Sequence, residues 1–150
     1  MGLTRLSAFL RRHRNIALDT SVFIYQLEDN PRYSALTNRI FAWLERPDHT
    51  GVTSTITMTE LLVQPYRDCN EDRVQQFYGL LSTFPNLHWV APDLDIADIA
   101  ARLRAAHRLR TPDALQAATA VHTRTTGLIT NDPVFARVPV FETLVLDQLL

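Results

Sequence analysis

Four acidic side chains, Asp19, Glu60, Asp113 and Asp132, stand where helices are expected to begin, and Asp19 and Asp132 directly follow β-like runs. Helix starts in an open α/β protein gather along the carboxyl edge of the sheet, and ligands bind in the crevice there, where strand order reverses. Acids scattered over most of the chain are therefore expected to meet in one pocket. Their own motifs offer no evident basic partner, so the four carboxylates would repel one another unless a hard cation lay between them. Oxygen-only ligands suit Mg2+ or Mn2+ better than zinc. The single cysteine, Cys69, and the five histidines provide no close ligand pair for zinc.

Each acid also has a local explanation. Asp19-Thr20-Ser21 offers good helix caps. Thr57 and Glu60 have capping-box spacing. Thr111-Pro112-Asp113 reads as a cap, a first-position proline and an acid favoured by the helix dipole. Asn131-Asp132-Pro133 reads as a turn with a capped short helix after it. Capping needs no particular neighbour in space, whereas a cation needs several ligands in one place, so geometry separates the two explanations. A phosphate-cradling loop is not expected, because the four glycines lie apart at Gly2, Gly51, Gly79 and Gly127. A nucleophilic Asp19 would want a second acid where Ser21 stands and a basic phosphate holder, and the chain has no lysine.

These residues need elements to position them. Strands are expected at Asn15–Asp19, Gly51–Ser54, Leu87–Val90 and Leu128–Thr130, with a last one at Pro139–Phe141 or Thr143–Leu146. Helical spacing covers Val22–Glu28, Arg32–Glu45, Met58–Tyr66 (broken around Pro65), Glu71–Ser82, Asp95–Arg108 and Thr111–Arg124, with Gly127 ending the last. Strands alternating with such helices imply right-handed crossovers and a parallel sheet of four to five strands covered on both faces. The expected architecture is one three-layer α/β/α domain over residues 15–150. Residues 1–14 form an extension with helical spacing at Leu3, Leu6 and Leu10. It reads as an added helix, a basic arm reaching phosphate through Arg11–Arg14, or a solvated leader.

At 150 residues the chain has room for one full core. No apolar stretch approaches the ~20 residues of a membrane span. Net charge is −1, and all 15 basic residues are arginine. Arginine binds phosphate bidentately and stacks on bases, so a local patch still suits nucleic acid. Arg104 and Arg108, one turn apart just before the Asp113 motif, are the candidate RNA contacts, with pairing of that face to Asp95 or Asp98 as the bland alternative.

In order and spacing, Ile16–Tyr25 (IALDTSVFIY), Thr59–Pro65 (TELLVQP), Leu109–Ala120 (LRTPDALQAATA) and Leu128–Phe135 (LITNDPVF) resemble the four acidic motifs of PIN-domain nucleases. The likeness is greatest to VapC-type toxins of toxin–antitoxin pairs and spans nearly the whole chain from Ile16. The resemblance implies a cytoplasmic, Mg2+- or Mn2+-dependent endoribonuclease, homodimeric, with a small antitoxin whose tail occupies the acidic pocket. Carried over residue by residue, Asp19 and Asp113 match metal ligands, Glu60 the second-motif acid and Asp132 the fourth. Thr20 and Thr130 match supporting positions. The extension departs from the pattern, in which the first acid lies only a few residues from the start. A rival reading keeps the fold but makes it a non-catalytic RNA- or protein-binding module.

Overall fold

Alternation along the central strands decides what must cover them. In the computed structural model, which describes all 150 residues, β1 (Asn15–Leu18) sends Ile16 and Leu18 into one buried cluster and Ala17 into another. Its neighbour β4 (Gly127–Thr130) likewise divides Ile129 from Leu128. Successive side chains on a strand point to opposite faces, so a sheet apolar on both needs helices on both.

With β2 (Thr50–Ser54), β3 (Leu87–Val90) and β5 (Glu142–Val145), these strands form one sheet in the order β3-β2-β1-β4-β5, every pair parallel. The last strand falls at the second of the two expected positions. One face carries α1 (Gly2–Arg12), α2 (Thr20–Leu27) and α3 (Ser34–Glu45), extended by Leu61 of α4 (Thr55–Arg67) and Leu81 of α5 (Glu71–Ser82). The other carries α6 (Leu94–His107) and α7 (Thr111–His122), with Phe135 from a 3-10 turn at Pro133–Arg137. No helix is long and apolar enough to cross a membrane.

Beyond shifts of one or two residues at several ends, two expectations change for identifiable reasons. Pro65 does not break α4, which begins three residues earlier than expected, at Thr55, and runs on to Arg67. Proline in a last turn forgoes only one ladder bond. Gly127 does not end α7 but opens β4. A Cβ at Gly127 would lie 2.8 Å from Cζ of Phe9 and 3.0 Å from the His13 ring, so the position is a close approach to the N-terminal segment.

That segment is a helix seated in the core. Leu6, Phe9 and Leu10 of α1 are buried in the first cluster. Arg5 donates to the Gln148 carbonyl at 2.7 Å. Arg12 and His13 both reach Glu142, and His13 also meets Thr126 at 2.7 Å. The Arg12 hydrogen bond, chiefly, holds the Glu142 carboxyl below its usual range. Gly127→Val is expected to overpack this seat at about 1–3 kcal/mol. Melting followed by circular dichroism should show a Tm lower by several degrees; an unchanged Tm would mean that α1 yields without cost.

Candidate active site

Strand order reverses between β1 and β4, since the chain moves outward through β2 and β3 on one side and through β5 on the other. The crevice at their carboxyl ends is where such folds bind ligands. Asp19 leaves β1 there, with its N–H bonded to the Ile129 carbonyl of β4 at 3.1 Å. It occupies the cap position of α2 with extended backbone, yet its side chain makes no cap bond. The carboxylate instead accepts the Thr130 hydroxyl at 2.8 Å.

Glu60 is not part of a capping box. Ser54 caps α4 by accepting the Ile56 N–H, which places Thr57 inside the helix and Glu60 in its second turn. The Glu60 carboxylate accepts the Thr20 hydroxyl at 2.8 Å. Asp113 lies in the first turn of α7, where Arg110 rather than Thr111 holds the cap position, without a side-chain cap bond. Arg110 and Asp113 stand 3.4 Å apart, which corrects the expectation that no acid has a basic partner in its own motif. With Arg110 largely exposed, that pair is worth at most about 1 kcal/mol. Asp132 does cap: it accepts the Val134 N–H at 3.0 Å. Its own N–H donates to the Thr130 hydroxyl at 3.0 Å, so one threonine serves both Asp19 and Asp132. Capping thus accounts for one acid of the four.

Beneath the acids lies a buried polar network that sequence reasoning missed. Gln116, one turn beyond Asp113, donates to Thr57 at 2.7 Å and more weakly to Thr20 at 3.4 Å. Thr57 also meets Thr53, whose hydroxyl donates to the Leu18 carbonyl at 2.9 Å. These bonds join β1, β2, α2, α4 and α7 directly under the carboxylates. The available signal was an amide on an otherwise alanine-rich face, since a buried polar side chain requires a partner.

The acids feel one another. Burial pushes the Asp19 carboxyl up to about 6, against the Thr130 hydrogen bond, and the charges of Asp113 and Glu60 push it the same way. Asp113 is also raised, first by burial, with Arg110 opposing and Asp132 adding. No three His, Cys, Asp or Glu side chains are close enough, as arranged, to close on one ion. The donor set still fits a hard divalent cation: it is all carboxylate, partly desolvated and mutually repelling. Thr130→Val should remove the opposing hydrogen bond and lift the Asp19 carboxyl further. The alkaline rise of any activity that needs ionised Asp19 would then shift to higher pH, with a loss of roughly 10–100-fold; an unmoved pH–rate profile would deny Thr130 this role.

Of the two arginines expected to meet RNA, Arg104 lies in the last turn of α6 and Arg108 is its C-cap. Arg104 donates to the Leu109 carbonyl at 2.9 Å, and Arg108 has a left-handed backbone with φ 57°. Arg102 pairs with Asp98 at 3.0 Å, whereas neither Arg104 nor Arg108 pairs with Asp95 or Asp98.

A family profile described as the PIN domain matches residues 16–140, a stretch that holds all four acids. The chain belongs to the PIN domain family. No curated protein sequence matches it. Among solved structures, a toxin–antitoxin complex from Klebsiella pneumoniae aligns with TM-score 0.63 and 26% identity, covering 87% of this chain and 97% of that one. VapBC2 from Rickettsia felis, bound to a DNA fragment from its promoter, aligns with TM-score 0.71 and 18% identity, covering 87% and 98%. Mycobacterium tuberculosis VapC20, a sarcin-ricin loop cleaving toxin, aligns with TM-score 0.61 and 16% identity, covering 75% and 86%. At such identities the last two speak for the fold. The PIN match begins within β1, so α1 lies outside it.

Proposed function

We propose that this PIN domain is a divalent-metal-dependent endoribonuclease and the toxin of a toxin–antitoxin pair. The observation that carries the reading is the placement of Asp19, Glu60 and Asp113 around the β1/β4 switch point with none of them used as a cap. Family membership and the toxin–antitoxin neighbours support it.

Asp19 and Asp113 would hold the Mg2+ or Mn2+, with Glu60 and Asp132 completing its surroundings. When bound, such an ion lowers the pKa of a water and offsets charge on a phosphoryl oxygen. Thr130 keeps the Asp19 carboxylate oriented, and Thr20 does the same for Glu60. Gln116 and Thr57 approach the hydroxyl of Thr20 at 3.4 and 3.3 Å, so the threonine that holds Glu60 is itself tied to the buried network. Arg104 and Arg108 are the proposed contacts to the RNA backbone beside Asp113. A small antitoxin and a homodimer complete the reading, the latter checked by sedimentation.

The rival is a binding module without catalysis, favoured by the fact that the carboxylates do not form a ready cage. Cleavage of a structured-RNA panel by wild type and Asp19→Asn, in Mg2+, Mn2+ or EDTA, separates the two. Metal-dependent cleavage that the folded variant lacks supports the nuclease. No cleavage, together with no Mn2+ bound by calorimetry, supports the binding module.

A further inference from the structure

A second site lies at the opposite edge of the sheet. Residues just ahead of β1 and β2, with α1 and α3, wall a cavity of about 760 Å3 that contains none of the four acids. Arg11 comes from the last turn of α1, Arg14 from the turn into β1, Arg39 from α3 and Arg46 from its C-terminal end. None of these four makes an ion pair. Asp48 is the one acid on the wall. Trp43 and His49, stacked with ring centroids 4.4 Å apart and planes 11° apart, line the same cavity. In a chain of net charge −1, four arginines without carboxylate partners converging on one cavity form a local positive field.

We propose that this cleft binds the phosphodiester backbone of a single-stranded nucleic acid. Four guanidinium groups from two stretches of chain, residues 11–14 and 39–46, exceed what one phosphate can use, and arginine is the side chain suited to repeated bidentate phosphate contact. The volume lies within the range of a nucleotide-sized site. Given the ribonuclease reading, on which the choice of RNA rests, the strand is the enzyme's own substrate. β1 has four residues, so the two edges lie about 13 Å apart along it. An RNA strand joining the two sites passes round the helices that cover the sheet, a path longer than that. The cleft then holds RNA by charge at a place where it does not neutralise the acids.

The test is fluorescence anisotropy of a labelled 12-nucleotide oligouridylate with the full-length chain in EDTA, as a function of salt. Because it needs neither metal nor turnover, it stands or falls separately from the nuclease assay. Arg14 and Arg46 have no side-chain hydrogen bond, so Arg14→Gln with Arg46→Gln is expected to leave the fold intact. It should weaken binding at least tenfold and lower the log–log salt slope by roughly 1.4, at ~0.7 for each lost contact. Arg11→Gln with Arg39→Gln should do the same, and Arg102→Gln, on α6, should do nothing. Unchanged affinity and slope in both double variants would overturn the proposal. So would displacement of the oligonucleotide by millimolar uridine monophosphate, which would make this a mononucleotide site. A wild type that binds a polyglutamate peptide and no oligonucleotide would overturn it in favour of an acidic protein partner.

Discussion

Asp19→Asn is expected to lose RNA cleavage and, in metal-free buffer at neutral pH, to melt higher than wild type. Loss of an outer-sphere partner at a metal site costs roughly 10–100-fold, so removal of the charge that holds the ion should cost at least ~100-fold. The stability gain follows from the carboxyl being pushed up to about 6 by burial and by its acidic neighbours. A raised carboxyl favours the fold while it is protonated. The penalty is absent below about pH 4, grows as pH rises through about 6 and is complete above that, where it reaches roughly 2–3 kcal/mol. Asparagine carries no such charge, yet offers the same oxygen to Thr130. In EDTA, the Tm difference between the two proteins should open between pH 4 and about 6 and then stay constant. Titrating groups remote from the site are common to both and cancel, whereas Asp113 and Glu60 interact with Asp19 and contribute to the difference. Added Mn2+ should raise the wild-type Tm and leave the variant unmoved. A variant that melts lower than wild type at pH 7.5 in EDTA would show that Asp19 is a stabilising cap after all.

Phe9→Ala should be the most damaging apolar substitution outside the family region. The ring is fully buried, packs against His13 at 4.6 Å between centroids, and lies directly against the glycine at position 127. Truncating a buried phenylalanine costs about 3–5 kcal/mol. With total stability of ~5–15 kcal/mol expected for a domain, this removes a large share of it. At ~2–4 °C per kcal/mol, Tm should fall by roughly 10 °C. Leu3→Ala on the exposed face of α1 should change Tm little, and the contrast between them is the measurement. Near-equal melting of Phe9→Ala and wild type would mean that α1 is dispensable to the core.

The parallel sheet and the order of its helices were legible because apolar periodicity reports directly on which face is covered. The switch point was legible from the same alternation, and Asp19 and Asp132 stand at it because they lie just beyond β1 and β4. Their partners were hidden. Whether Thr57 caps a helix or lies inside one depends on where α4 starts, and Ser54 took that cap three residues upstream. The pairing of Arg110 with Asp113 was open to inspection, since i,i+3 neighbours meet on a helix. Gln116 could be read as buried but not as bonded, because Thr20 and Thr57 reach it only through the tertiary fold. The seat of α1 was illegible for the same reason: Glu142, Thr126 and Gln148 are more than a hundred residues away.

That separation in sequence has a consequence for synthesis. On the ribosome α1 emerges well before the carbonyl of Gln148 and the carboxylate of Glu142 that fasten it. Until then Leu6, Phe9 and Leu10 have no complete seat. The nascent chain must carry an amphipathic helix with its apolar stripe open while six further helices are translated. Contacts of such long range close late and slowly, and an apolar stripe left open in the meantime invites chaperone capture or aggregation. The final docking of α1 therefore waits until residues 142 to 148 have been made.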